Sequence, residues 1–165
     1  LQGRLHEGVQ SAGNLFYRDE SCYRQLADLV RRQFDAYLER FKDSDCELIR
    51  SFPAEREFES SWYIRMRRGG HLDAHIHESG WVSGAVYLAL PSRDHGSEEG
   101  CFEVGLHGDD YPVVDGASEF PSKVLQIGTG DIVLFPANLF HRTIPFHADE
   151  ERVCIAFDLQ PAAVR

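Results

Sequence analysis

The chain has 165 residues, of which 42% are hydrophobic and 27% charged, an ordinary composition for one globular domain. Its net charge of −10 and isoelectric point of about 5.2 argue against nucleic-acid binding, because neutralising phosphates requires clustered lysines and arginines. No apolar run has the length of a membrane span, and four scattered cysteines without a CxxC pair favour a reduced, cytoplasmic protein. We therefore expect a single domain over residues 1–165 that binds neither nucleic acid nor membrane.

The first part of the chain predicts an extended lead-in and one helix. Residues 1–19 contain glycines and little periodicity. Over residues 20–42, apolar side chains such as Leu26, Val30 and Phe34 recur at helical spacing with charged residues between them. This pattern is typical of an amphipathic helix that packs on a larger body.

After Pro53 the pattern becomes that of β-strands, and the barrel core is expected over about residues 58–160. Strands are predicted over residues 61–66, 81–90, 100–106, 124–127, 132–135 and 152–159. Gly69-Gly70 is expected to end the first of them, and the polar insert 107–122 is either a lid over a site or a solvated crossover. Short strands with Gly-rich turns predict a mainly β sandwich or jelly-roll barrel.

Histidines and carboxylates are concentrated in residues 69–78. Since successive side chains of a strand alternate between its faces, four of these residues share one face if the segment is extended: His71, Asp73, His75 and His77. Three histidines at this spacing indicate a metal site at the mouth of a barrel. The carboxylate of Glu78 could join it from the following loop.

A distant histidine, His141, supplies a further ligand candidate. It follows a strand that Pro136 ends, since proline cannot continue the ladder. A third ligand from another strand would complete a facial set. Imidazole suits ferrous iron, and such sites leave open positions for a co-substrate and oxygen.

Arg152 begins the last predicted strand and shares a face with two small residues, Cys154 and Ala156. This arrangement leaves a cavity with a guanidinium at one end, and a guanidinium binds a carboxylate through two hydrogen bonds. The alternative is an ordinary salt bridge to Glu150 or Glu151.

Together these residues resemble the 2-oxoglutarate- and Fe(II)-dependent oxygenase superfamily. The resemblance is greatest to its oxygenases with a His-x-His motif, some of which lie C-terminal to tetratricopeptide repeats, and it covers most of the chain from residue 13 onward. The matching motifs are Gly13-Asn14-Leu15-Phe16, Ser61-Trp62, Gly69-Gly70, His75-Ile76-His77, Gly80-Trp81-Val82-Ser83, Tyr87-Leu88-Ala89-Leu90-Pro91, Leu134-Phe135-Pro136, His141-Arg142-Thr143-Ile144-Pro145-Phe146 and Arg152-Val153-Cys154-Ile155-Ala156-Phe157-Asp158.

The resemblance implies a cupin-like double-stranded β-helix and an Fe(II) site with no catalytic residue beyond the metal centre. It implies iron ligation by His75, His77 and His141. Arg152 would bind the distal carboxylate of 2-oxoglutarate, with Thr143 or Tyr87 assisting. The wider superfamily has a carboxylate at the second ligand position, so His71, Asp73 and Glu78 remain alternate ligands.

The implied reaction is hydroxylation of a small molecule or a protein side chain, with 2-oxoglutarate and O2 as co-substrates and ascorbate as an auxiliary reductant. Two other functions are compatible with the same histidines. One is a cupin-like dioxygenase or isomerase that needs no oxo acid, and the other is a non-catalytic metal-binding module. Arg152 distinguishes the oxygenase from the cupin-like enzyme, and the non-catalytic module would bind metal without consuming oxygen.

Overall fold

The computed structural model describes residues 2–109, 111–114 and 120–162. Two α-helices, α1 at Ser21–Arg40 and α2 at Glu47–Ser51, lie between the first strand and the second. The strands are β1 at Leu5–Gln10, β2 at Arg56–His75, β3 at Val82–Ala89, β4 at Phe102–Val104, β5 at Lys123–Leu125, β6 at Ile132–Pro136, β7 at His141–Thr143 and β8 at Arg152–Pro161.

The strands form a curled antiparallel sheet. Their order is β5-β4-β7-β2-β8-β3-β6, and β1 pairs with β2 beside this path. Most neighbouring strands, five of the seven pairs, are non-consecutive in the chain, as in a jelly roll, which confirms the prediction of a mainly β, cupin-like fold. The short strand β7, which the sequence did not predict, carries His141.

The prediction that Gly69-Gly70 ends a strand is wrong, because β2 runs through both glycines. Gly69 has a φ of +82°, and a Cβ on Gly70 would lie 2.6 Å from the carbonyl oxygen of Arg67. The two glycines therefore let the strand bend where other residues would clash. Before the bend β2 pairs with β8, and after it with β7.

The helix α1 lies within the range that its periodicity predicted. It buries Ala27, Val30 and Phe34 in a core cluster that also contains Phe58 of β2 and Phe157 of β8. The opposite side of the same strands belongs to a second core cluster, which surrounds a cavity. Within the described residues, no helix combines the length and apolarity that crossing a membrane requires.

The lead-in is fixed to β2 by the side chain of Asn14. Its amide donates to the carbonyl of Phe58 at 3.1 Å, and its Oδ1 accepts from the hydroxyl of Ser61 at 2.5 Å. The same hydroxyl accepts from the backbone N–H of Phe16 at 2.9 Å. Two of the motifs quoted above thus form one hydrogen-bonded connection that holds β2 in place.

Candidate metal centre

Three histidines meet at one end of the cavity. His75 is the last residue of β2 and pairs directly with His141, the first residue of β7. His77 lies just beyond β2, where its backbone N–H donates to the carbonyl of Ala137 at 2.9 Å. All three side chains are buried, and each offers a ligand atom within 4.8 Å of the others.

The outer nitrogen of each imidazole has a hydrogen-bond acceptor. Nδ1 of His75 lies 2.7 Å from the carbonyl oxygen of Asp73, and Nδ1 of His141 lies 2.9 Å from that of Leu139. Nδ1 of His77 lies 2.6 Å from Oδ1 of Asp158. Because these acceptors cannot donate, the proton resides on Nδ1, and each Nε2 keeps a lone pair for a metal.

Asp158 is a buried carboxylate that contacts this centre through His77, and sequence reasoning gave it no role. It is buried and also accepts from the hydroxyls of Ser83 at 2.5 Å and Ser60 at 2.8 Å. Burial opposes its charge, but the hydrogen bonds from His77 and both serines outweigh burial and hold its pKa below the ordinary 3.8. Asp158 therefore places a negative charge directly beside His77.

Asp158 should strengthen metal binding through His77. We expect Asp158→Asn to weaken Co(II) affinity about 10- to 100-fold, the usual effect of losing a carboxylate behind a ligating histidine. Titration of the metal-free protein followed by absorbance measures this. Ser60→Ala is the matched control, since it removes one hydrogen bond to Asp158 but keeps the carboxylate. Equal affinities of Asp158→Asn and wild type would refute this role.

The expectation that His71 and Asp73 share a face with His75 and His77 is wrong. The pairing register of β2 shifts between Leu72 and His75, so the alternation does not hold across that step. Leu72 lines the cavity, whereas His71 and Asp73 are partly exposed and gather with His6 in a separate outer cluster. Glu78 is exposed and is not part of the group of three histidines.

Arg152 lies at the other end of the cavity and is only 2% exposed. Its Nε donates to the carbonyl of Gly100 at 3.0 Å, and its guanidinium carbon lies 5.0 Å from the ring centroid of Tyr87. The alternative salt bridges are not formed: Glu151 faces Arg65 at 3.6 Å, and Glu150 accepts from the hydroxyl of Ser92. Among the described residues, no carboxylate is paired with this buried cation.

The cavity wall between the histidines and Arg152 combines apolar and polar groups. Thr143 and Tyr87, both predicted to assist, are buried in this wall. Burial raises the pKa of Tyr87 above its usual value, so its hydroxyl stays protonated and able to donate. The lining residues include Trp62, Ile64, Leu72, Tyr87, Phe102, Phe135, Thr143, Cys154 and Ala156.

A wider pocket opens on the other side of His77. It is lined by Trp62, Glu59, Glu78 and by Tyr111 of the predicted insert. The insert rests on Phe140, whose ring centroid lies 4.8 Å from that of Tyr111. Residues 110 and 115–119 of the insert lie outside the described residues.

Burial also controls the protonation of the histidines. Burial is the main cause, and together with smaller effects of the neighbouring imidazoles it lowers the pKa of His75 to about 4 and that of His141 to about 2. Both rings are therefore neutral at physiological pH, which is the form that binds a metal.

This protonation has a consequence for the stability of the metal-free protein. Unfolded histidines bind a proton near pH 6.5, whereas the folded ones do not until far lower pH, so stability falls as pH drops below 6.5. Each ring should cost about 2 kcal/mol of unfolding free energy between pH 7.5 and pH 5. Urea denaturation of wild type and His141→Gln at both values should show a smaller loss in the variant; equal losses would contradict this.

The fold and the site define a class, that of jelly-roll enzymes with a non-haem metal centre. Residues 60–158, more than half of the chain, match the family model described as "Putative 2OG-Fe(II) oxygenase". The chain belongs to this family. It is an Fe(II)- and 2-oxoglutarate-dependent oxygenase that uses 2-oxoglutarate and O2, which confirms the enzyme class and cofactors expected from the sequence.

Solved structures share the fold at low sequence identity, and no curated protein sequence matches the chain. HygX from Streptomyces hygroscopicus, solved with nickel and 2-oxoglutarate bound, is 15% identical over 96% of this chain and 71% of its own, with a TM-score of 0.63. AviO1 from Streptomyces viridochromogenes Tue57 is 19% identical over 96% and 69%, with a TM-score of 0.58. A Pseudomonas putida prolyl-4-hydroxylase is 15% identical over 94% and 72%, with a TM-score of 0.55.

Proposed function

We propose that His75, His77 and His141 hold the Fe(II) through their Nε2 atoms. The observation that carries this assignment is the convergence of three buried imidazoles whose Nδ1 atoms are all occupied by acceptors. Three protein donors would leave coordination positions open for the co-substrate and O2. The histidine at the second ligand position replaces the carboxylate of the wider superfamily.

Arg152 is proposed to bind the distal carboxylate of 2-oxoglutarate. Its burial without a carboxylate partner among the described residues supports this role, because an unpaired buried cation is costly until an anion joins it. The ring of Tyr87 holds one face of the guanidinium, and Thr143 lies in the same wall between Arg152 and the histidines. These residues orient the co-substrate so that its oxo-acid end reaches the metal.

The proposed reaction is hydroxylation of a C–H bond. Iron, when bound, would supply the chemistry that couples the oxidative decarboxylation of 2-oxoglutarate to the insertion of one oxygen atom of O2 into the substrate, giving succinate, CO2 and the alcohol. The chain positions the reactants and excludes water, since Trp62, Phe102 and Phe135 surround the histidines. The primary substrate is proposed to enter through the wider pocket beside His77, which Tyr111 of the insert also lines.

Succinate formation tests the proposed activity. The protein, supplied with Fe(II), 2-oxoglutarate, O2 and ascorbate, should convert 2-oxoglutarate to succinate slowly even without its primary substrate. Omission of iron should abolish the conversion. Isothermal titration that shows no 2-oxoglutarate binding to the metal-loaded protein would instead favour a three-histidine enzyme that needs no oxo acid.

Two broader expectations remain predictions. One is that residues 1–165 form a single oxygenase-like domain. The other is a cytoplasmic location, which is supported by the four cysteines all being unpaired.

A further inference from the structure

The outer cluster, formed by His6, His71 and Asp73, is separate from the three proposed iron ligands. His6 and His71 are directly opposite each other on β1 and β2, and their rings stack with centroids 4.3 Å apart. Nε2 of His6 lies 2.8 Å from Oδ2 of Asp73, and Nε2 of His71 lies 3.7 Å from Oδ1. Two imidazole nitrogens thus face one carboxylate.

A backbone irregularity puts His6 in this position. The register of β1 against β2 shifts between His6 and Gly8, and Glu7 between them has a φ of 45°. A non-glycine residue in the left-handed region costs roughly 1 kcal/mol or more, and such strain is concentrated at functional sites. The irregularity directly follows His6, whose side chain lies beside that of its pairing partner His71.

The hydrogen bond of His71 determines which nitrogen faces Asp73. Its Nδ1 lies 2.9 Å from the carbonyl oxygen of Gly69, so Nδ1 carries the proton. Nε2 is then the ring nitrogen that points at a carboxylate oxygen, 3.7 Å away, and a cation between them would be contacted by both groups. Backbone acceptors fix two of the proposed iron ligands in the same way.

We propose that the outer cluster binds a divalent cation of the Zn2+ type. Two imidazoles and one carboxylate are a usual donor set for this ion, and the exposure of the cluster leaves a fourth position for water. The two rings would rotate out of their parallel stack so that both lone pairs point at the ion. This inference is independent of the proposed function of the buried histidines.

The role of this cation is structural. It would tie β1 to the end of β2 that carries His75, because the carbonyl of Asp73 accepts the hydrogen bond from Nδ1 of His75. A metal bound to the carboxylate of Asp73 therefore fixes the residue that orients a proposed iron ligand. Neither His6 nor His71 lines the cavity, so a cation bound by them would not contact 2-oxoglutarate in that cavity.

Zinc stoichiometry tests the proposal on the metal-free full chain. Wild type should bind about two equivalents of Zn2+ by calorimetry, and His6→Gln and His71→Gln about one, because each variant lacks a ligand of the outer cluster. His95→Gln is the matched control, since His95 is exposed and lies in a loop outside the cluster. It should keep both equivalents. His141→Gln should lose the buried equivalent and keep the outer one.

The outcomes separate the two sites. A wild-type protein that binds a single equivalent, or a His6→Gln variant that keeps two, would overturn the outer site. A His141→Gln variant that keeps both would instead contradict the buried site. In thermal denaturation with excess Zn2+, we expect His141→Gln to be stabilised and the double variant His6→Gln/His141→Gln not to be.

Discussion

Replacement of His141 by alanine should reduce succinate formation about a thousandfold or more, because two remaining imidazoles hold Fe(II) too weakly for the site to be occupied. His141 comes from β7, whereas His75 ends β2 and His77 lies just beyond it, so the third nitrogen donor depends on a separate strand. Iron binding, followed by calorimetry without oxygen, should be lost together with the activity. The metal-free variant should still fold, since it no longer buries an imidazole.

Two variants accompany this measurement. His147→Ala is the matched control, because His147 is an exposed histidine nearby that pairs with Glu99. It should keep iron binding and turnover. Glu78→Gln tests the alternate carboxylate ligand: it should bind Fe(II) like wild type, and a loss comparable to that of His141→Ala would mean that Glu78 completes the site instead of His77.

Arg152→Ala should weaken 2-oxoglutarate binding about 100-fold, because removing one partner of a buried, hydrogen-bonded charge pair costs about 3 kcal/mol. Metal affinity should stay unchanged, since the guanidinium lies at the other end of the cavity from the histidines. Titration of 2-oxoglutarate into the Fe(II)-loaded variant without oxygen measures the first affinity, and titration of Fe(II) into the metal-free variant measures the second. Undiminished affinity for 2-oxoglutarate would exclude this role for Arg152.

The controls for Arg152 separate charge from geometry. Arg152→Lys keeps the charge but loses the planar fork that fits a carboxylate, so its affinity should lie between those of wild type and Arg152→Ala. Arg65→Ala removes an arginine of β2 that pairs with Glu151 near the surface. It should leave 2-oxoglutarate binding unchanged, which shows that the loss in Arg152→Ala is not an effect of net charge.

The composition of the proposed site could be predicted, but its local geometry could not. Spacing and motif pointed to His75, His77, His141 and Arg152, and the structure gathers all four around one cavity. The prediction that His71 and Asp73 share a face with His75 and His77 assumed regular alternation, which ends at the register shift after Leu72. Such a bulge depends on the partner strand and cannot be read from the sequence of β2 alone.

Asp158 shows a second limit of sequence reasoning. It lies 81 residues from His77, so the hydrogen bond between them depends on the pairing of β2 and β3 with β8. The aspartate was visible at the end of a quoted motif, but only the folded sheet shows what it touches. Asp73 and Glu78 lie close to the histidines in sequence, but neither of their side chains accepts a hydrogen bond from His75 or His77.

The bend at Gly69-Gly70 divides β2 into two segments of unequal stability. The segment before the bend has a ten-residue partner, β8, and a helix packed behind it, whereas the segment that ends in His75 is held by β1 and by the three residues of β7. The second segment should therefore open to solvent more often than the first. Metal can then enter and leave by local opening, while the core beneath α1 stays folded.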